Sequence, residues 1–159
     1  MLKDFTIRLA TIKDAKAVHE VLLAAFEAYR SFYSPEGFAD TVLSEERAKD
    51  RIKETNVYVA VDQYGKIIGT IGWQKLNESE GHIRGMGIIP SQQGRGSPAT
   101  SLLRQVERDA QLESCKILTL DTTEILKRAQ SFYEKNGFKK TGRIRDFFDS
   151  IIYEFAKTL

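Results

Sequence analysis

The sequence predicts a mixed α/β (α+β) fold, a mostly antiparallel sheet with helices on both faces. Three observations carry this. Alternating apolar runs and runs with helical spacing interleave from Phe5 to the C-terminus. A single strand–helix–strand unit, residues 82–120, has the spacing of a parallel crossover. Turn residues join most of the other strands as hairpins. The expected order is β-α-α-β-β-β-α-β-α-β-β, in a single domain over residues 1–159.

Phe5 to Leu9 alternates and reads as the first strand, with Met1 to Asp4 as its lead-in and not a signal peptide. Thr11-Ile12-Lys13-Asp14 reads as a capping box. Val18, Leu22, Ala25, Phe26 and Tyr29 follow at helical spacing, so a helix is expected to about Arg30. Ser31 to Leu43 is an aromatic-rich loop with room for a short helix. Ser44 caps a second helix to about Glu54. Val57 to Asp62 and Lys66 to Gln74 form a hairpin, and His82 to Ile89 a further strand ended by Pro90. A helix to about Leu112 carries Leu102, Leu103, Val106 and Ala110. Lys116 to Leu120 is a strand and Leu126 to Lys135 a helix, with Gly137 as its terminating glycine. Phe138 to Ile144 and Ile151 to Phe155 close the chain around a turn at Asp146 to Ser150.

Bulk properties exclude several classes. With 24 basic and 22 acidic residues the net charge is +2, which gives no reason to expect nucleic-acid binding. One cysteine, Cys115, forms no internal disulfide, and with His19 and His82 at unrelated spacing it makes no metal site. No long apolar run is present to span a membrane. A cytoplasmic protein is expected. The C-terminal strands are available for pairing across a homodimer.

The sharpest local signal is Gln93-Gly94-Arg95-Gly96, between a strand and a helix. Glycines let successive N–H groups converge, and a helix N-terminus adds partial positive charge, so such a turn binds phosphate. The plain alternative is a solvent-facing turn that caps the helix. A P-loop is excluded, since no Gly-Lys-Ser/Thr follows. Gly94-Arg95-Gly96-Ser97-Pro98-Ala99 does match a dinucleotide pattern, with Asp121 as a ribose-binding acid. Pro90 to Gln93 separate the strand from Gly94, however, and too little chain follows Asp121 for a second dinucleotide half.

These residues resemble the Gcn5-related N-acetyltransferase (GNAT) family. Its cofactor motif, Gln/Arg-x-x-Gly-x-Gly/Ala after a V-x-P-like segment, is matched by Ile88-Ile89-Pro90 and the turn from Gln93. Its late Tyr-x-x-x-Gly-Phe is matched by Tyr133-Glu134-Lys135-Asn136-Gly137-Phe138. The likeness spans about Phe5 to Leu159. Pro98 departs from the family's Gly/Ala, and Leu126 stands where an Asn often contacts the cofactor.

The resemblance implies transfer of acetyl from acetyl-CoA to a primary amine of a small molecule, peptide or protein. Gln93, Gly94, Arg95, Gly96, Ser97, Pro98 and Ala99 would hold the pyrophosphate. Backbone groups near Gly87 and Ile88 would pair with the pantetheine arm, with the Ile88 N–H as thioester donor. Gly85 and Gly87 permit a bulge or close approach, or simply relieve crowding. Tyr133 is the candidate general acid, or a core aromatic. His82, Glu80 acting through water, or a water chain would serve as base. Lys127, Arg128 and Lys135 would meet the outer phosphate or form a solvated helix face. Tyr29 and Tyr33, with Phe32 and Phe38, would wall the acceptor pocket, with Glu27 or Glu36 attracting a cation. A non-catalytic CoA-binding module on the same fold is the alternative, motivated by Pro98 and Leu126.

Overall fold

The computed structural model describes residues 4–159; the expected lead-in Met1 to Lys3 lies outside the described residues. One sheet collects β1 (Phe5–Leu9), β2 (Asn56–Asp62), β3 (Ile67–Lys75), β4 (Glu80–Ile88), β5 (Ile117–Thr123), β6 (Lys139–Phe147) and β7 (Ser150–Thr158). Their spatial order is β1-β2-β3-β4-β5-β7-β6. Among the described residues β4 and β5 form the single parallel pair, and every other neighbouring pair is antiparallel. This is the mixed sheet the sequence predicts, and the dinucleotide alternative is not realised.

The helices are α1 (Ala15–Phe26), α2 (Pro35–Thr41), α3 (Glu45–Glu54), α4 (Ala99–Leu112) and α5 (Lys127–Lys135). Three helices therefore precede β2 where the element order had two. The added one is α2, started by Ser34, whose hydroxyl accepts from the Gly37 N–H at 3.1 Å, with Pro35 in the first turn. Ser44 caps α3 in the same way through the Arg47 N–H, at 3.2 Å. Asp14 returns to the Thr11 N–H at 2.7 Å, but the turn it closes is 3₁₀, and α1 begins only at Ala15. At its far end α1 tightens into a 3₁₀ segment, Glu27–Phe32, short of the expected helical end at Arg30.

The two faces are covered separately. On one, Leu102, Leu103, Val106 and Ala110 of α4 and Tyr133 of α5 pack on Tyr58, Ala60, Ile71, Trp73, Ile83 and Leu118. On the other, Ala15, Val18 and Leu22 of α1, Phe38 of α2 and Ala48 of α3 pack around Val59. The alternation Tyr58, Val59, Ala60 thus divides one strand between both cores. Each such large side chain contributes roughly 1.5–3 kcal/mol on burial.

Two local irregularities matter for the site. First, β4 is bulged. Thr70 pairs with Gly87 and Gly72 with Arg84, so one more residue sits on β4 than on β3, and Gly85 there has φ +71°. The extra residue lets Ile83, Met86 and Ile88 all face the α4/α5 core. Second, the last hairpin turns through only Phe148 and Asp149, at φ +48° and +71°, with Phe147 paired to Ser150. That is a two-residue hairpin with positive φ at both centres. Both closing strands run further than expected because this turn is so short.

Phe155 of β7, fully buried in the α4/α5 core, holds the penultimate strand of the sheet against the helices. Phe155→Ala is expected to lower unfolding free energy by about 3–5 kcal/mol. Tyr64→Ala, at a position 84% exposed, should stay within about 0.5 kcal/mol. Urea denaturation of both variants checks the contrast.

Candidate active site

Pairing between β4 and β5 covers Glu80↔Ile117, Gly81↔Leu118 and His82↔Thr119, and then stops. β5 goes on pairing with β7 as far as Thr123, while β4 bends at its bulge. The strands part, and the gap opens into a cleft of about 1340 Å³. Its lining draws on β4, the turn before α4, β5, α5, the end of α1 and the last hairpin.

The ladder decides which backbone groups face the gap. The Ile89 N–H donates to Ile68 O at 3.0 Å, which makes Gly69↔Ile88 a non-hydrogen-bonded pair. The N–H and C=O of Ile88 therefore point away from β3, toward the opening. Gln93 Nε2 donates to that carbonyl at 2.8 Å. Gly87, by the same alternation, spends its backbone groups on Thr70. A side chain on Gly87 would meet Leu22 at 3.1 Å and Ala25 at 3.3 Å, so its glycine serves the packing of α1.

The turn at one mouth of the cleft holds Gly94 at φ +88° and Gly96 at φ +79°, conformations that a side chain disfavours. Among the described residues, no acceptor bonds the N–H groups of Gly94, Arg95 or Gly96, whereas Ser97 N–H donates to Gly94 O at 3.1 Å. Three free donors beside a helix start fit a diphosphate. Pro98 is the N-cap of α4 and is buried. Ala99 N–H already donates to Ser97 Oγ at 3.1 Å, so it does not replace the donor that Pro98 lacks. The Arg95 side chain is exposed and does not line the cleft. Arg128, by contrast, lines it and donates to Gln93 Oε1 at 3.3 Å, with Lys127 and Lys135 on the same wall. Leu126 is the N-cap of α5 and offers no side-chain cap.

Tyr133 sits where the C-terminus of α5 is fixed by its own chemistry. Phe138 N–H donates to Tyr133 O at 3.0 Å and Gly137 N–H to Glu134 O at 3.2 Å, with Gly137 at φ +96°. This is a Schellman motif, and the Tyr133 and Phe138 rings supply its apolar contact at 5.7 Å between centroids. The buried phenol donates to Met86 Sδ at 3.2 Å, a weak acceptor on the bulge. Burial pushes its pKa well above the ordinary phenol range, so it keeps its proton at neutral pH.

His82 and Glu80 meet through a third residue that the sequence reading missed. Thr119 has one hydroxyl proton and three neighbours, His82 Nδ1 at 2.8 Å, Glu80 Oε2 at 3.0 Å and, at the longest reach, the Gly81 carbonyl at 3.5 Å. A carboxylate only accepts, so Thr119 donates to Glu80 and accepts from His82 Nδ1–H. That leaves His82 Nε2 with a free lone pair, 3.7 Å from Asp121 Oδ2. Asp121, weighed above as a ribose ligand, instead accepts from Arg145. Burial lowers the His82 pKa below its ordinary 6.5, partly opposed by Asp121. The signal for this cluster was Thr119 and Asp121 alternating with Leu118 and Leu120 on a central strand.

Tyr29 and Tyr33 line the cleft, and the Tyr33 hydroxyl bonds Thr123 Oγ1 at 3.2 Å. Phe38 is a core residue under Arg30, and Phe32 is exposed, so neither walls the cleft. Glu27 is held by Arg30 at 2.8 Å outside it, and Glu36 does not line it.

A family model described as the acetyltransferase (GNAT) family matches residues 17–138. No curated protein matches the sequence significantly. Solved structures match in fold. A PaiA N-acetyltransferase from Thermoplasma acidophilum in complex with coenzyme A is 20% identical, with TM-score 0.80, covering 98% of this chain and 99% of that one. An acetyltransferase from Streptococcus agalactiae is 17% identical with TM-score 0.77, covering 99% and 100%. A GNAT family acetyltransferase from Elizabethkingia anophelis with acetyl-CoA bound is 17% identical with TM-score 0.72, covering 99% and 100%.

The His82 shift has a defined sign. Well above pH 6.5 the imidazole is neutral whether the chain is folded or not. Below it, the unfolded chain takes up a proton that the folded site resists, so stability falls as pH drops. NMR titration should place His82 below its ordinary value. His82→Gln should remove this part of the acid-side loss in denaturation profiles from pH 7.5 to 5.

Proposed function

The chain belongs to the GNAT acetyltransferase family, and from that premise we propose that it is an N-acetyltransferase acting on a primary amine. Acetyl-CoA is its cosubstrate, and the amine belongs to a small molecule, peptide or protein. The observation that carries this reading is the parting of β4 and β5 beyond His82. The cleft that opens there is lined by the glycine turn with its free N–H donors, by a protonated phenol and by an imidazole with a free lone pair, which supports this reading.

When bound, acetyl-CoA supplies an activated acetyl group as a thioester. The N–H groups of Gly94, Arg95 and Gly96 hold its diphosphate, helped by the start of α4. Lys127, Arg128 and Lys135 meet its outer phosphate. Gln93 fixes the Ile88 carbonyl, which keeps the Ile88 N–H turned to the gap as donor to the thioester oxygen.

His82 takes the amine proton at Nε2. The Thr119–Glu80 chain fixes its tautomer, and Asp121 stabilises the imidazolium once it forms. A lowered pKa keeps the ring neutral, hence able to accept, at pH 7. Tyr133 donates its proton to the departing sulfur. A free phenol near pKa 10 is a poor acid toward a thiol near 8.5. Burial raises the phenol further, so the transfer depends on the departing thiolate being desolvated in the same cleft, which raises its proton affinity as well. Tyr29 and Tyr33 flank the acceptor.

We assign this activity to one domain over residues 1–159, supported by a sheet that takes strands from both ends of the chain. A cytoplasmic location belongs to the same proposal, supported by a single free, buried cysteine. No helix among the described residues is long and apolar enough to cross a membrane.

A second reading, a CoA-binding module without turnover, is favoured by the committed Ala99 N–H beside Pro98. The two differ in a direct assay. Acetyl-CoA at a hundredfold excess over Kd should stabilise the protein by about 2.7 kcal/mol in either case. Thiol release with an amine panel follows only from the enzyme. Tyr133→Phe should then cut kcat by about 10²-fold or more while keeping the melting shift, since the ring contact with Phe138 survives. Full turnover in that variant would remove Tyr133 from the reaction.

A further inference from the structure

We propose that the acceptor carries, besides its amine, an oxyanion of the carboxylate or phosphonate type that docks on Arg51 and Arg84. The inference rests on the acyl-transfer reading above and names its substrate class.

Arg51 reaches from α3 to the bulge of β4. Its Nη1 lies 2.6 Å from where a side chain on Gly85 would begin, so the missing side chain there makes the slot that holds the guanidinium. Arg51 is half-buried and lines the cleft, yet among the described residues its guanidinium has no hydrogen bond and no ion pair. Asp40 is the carboxylate that acts on it, and Asp40 is bound by Arg47 at 3.5 Å. Burial, then the adjacent charge of Arg84, pulls the Arg51 pKa down to about 10. Arg84 also lines the cleft, and among the described residues it has no hydrogen bond or ion pair. The other arginines there are engaged: Arg143 with Glu154 at 3.8 Å, Arg145 with Asp121, Arg128 with Gln93.

Two neighbouring guanidinium groups without an anion oppose each other, and one is half desolvated. An oxyanion bridging them removes both penalties, and guanidinium is the group best shaped to bind one. The placement also fits the chemistry. Glu80, His82 and Arg84 alternate on one face of β4, so Arg84 lies about 7 Å along the strand from His82. An amine at His82 Nε2 and an oxyanion at the arginines describe a short bifunctional molecule, such as an amino acid.

The test follows thiol release from acetyl-CoA with L-amino acids, their amides, the matching decarboxylated amines and aminoalkylphosphonates. Oxyanion-bearing acceptors should exceed their uncharged counterparts by about 10- to 100-fold in kcat/KM. In Arg51→Gln this preference should collapse toward unity through KM, and Arg51→Lys should restore part of it. Both variants should keep the acetyl-CoA melting shift, which shows that they fold. Equal or better turnover of the uncharged amines, or an equal loss on acids and amides in Arg51→Gln, overturns the inference. So does a protein that acetylates no oxyanion-bearing amine while acetyl-CoA still raises its melting temperature. If acetyl-CoA produces no shift even in the unmodified protein, it is the underlying acyl-transfer reading that fails.

Discussion

One extra residue in β4 underlies most of what this protein can do. The bulge at Gly85 bends the strand just beyond its last pairing with β5. It also changes which side chains face the α4/α5 core, placing Met86 beneath Tyr133 and leaving Ile88 with backbone groups turned to the gap. The same glycine leaves the slot that Arg51 fills. The β4–β5 ladder ends at His82–Thr119, shortly before the bulge, and beyond it the cleft stands where a hydrogen-bonded seam would run. Opening that seam forgoes several backbone bonds, each worth about 0.5–1.5 kcal/mol net. The loss is local because both strands remain paired on their other edges.

The polar groups of the cleft divide by face. Toward α4 and α5 lie the glycine turn, the basic residues of α5 and the buried phenol. Toward α1, α2 and α3 lie His82, Arg84, Arg51 and the two tyrosines. The division follows from strand alternation, since odd and even positions of β4 and β5 look in opposite directions. Under the proposed acyl transfer, the cosubstrate would be gripped from one side and the acceptor would approach from the other. The two meet only where the strands part.

Proton states in the cleft come from burial more than from ion pairing. Desolvation keeps Tyr133 protonated and His82 unprotonated, opposite proton states with the same outcome, a neutral group. Arg51 is the counterexample, a group that stays cationic despite burial and a like-charged neighbour. The Thr119 hydroxyl adds direction to this arrangement, because its single proton decides which histidine nitrogen is left to accept.

The sequence by itself determined the family fold, the glycine turn and the Tyr133 to Phe138 motif. Each depends on short-range rules: period, caps, and glycines at positive φ. The Schellman geometry around Gly137 was legible for that reason, and so was the parallel crossover into β5. The relay through Thr119, the exposure of Arg95, the burial of Phe38 and the approach of Arg51 to Gly85 were decided only by the tertiary structure. They join residues 37 or 39 positions apart, as in His82–Thr119 and Glu80–Thr119, or bring α3 onto β4. In the sequence Arg51 is one more charge on a polar helix. Only the packing of α3 against the bulge half-buries it, leaves it without a partner among the described residues and sets it on the lining of the cleft.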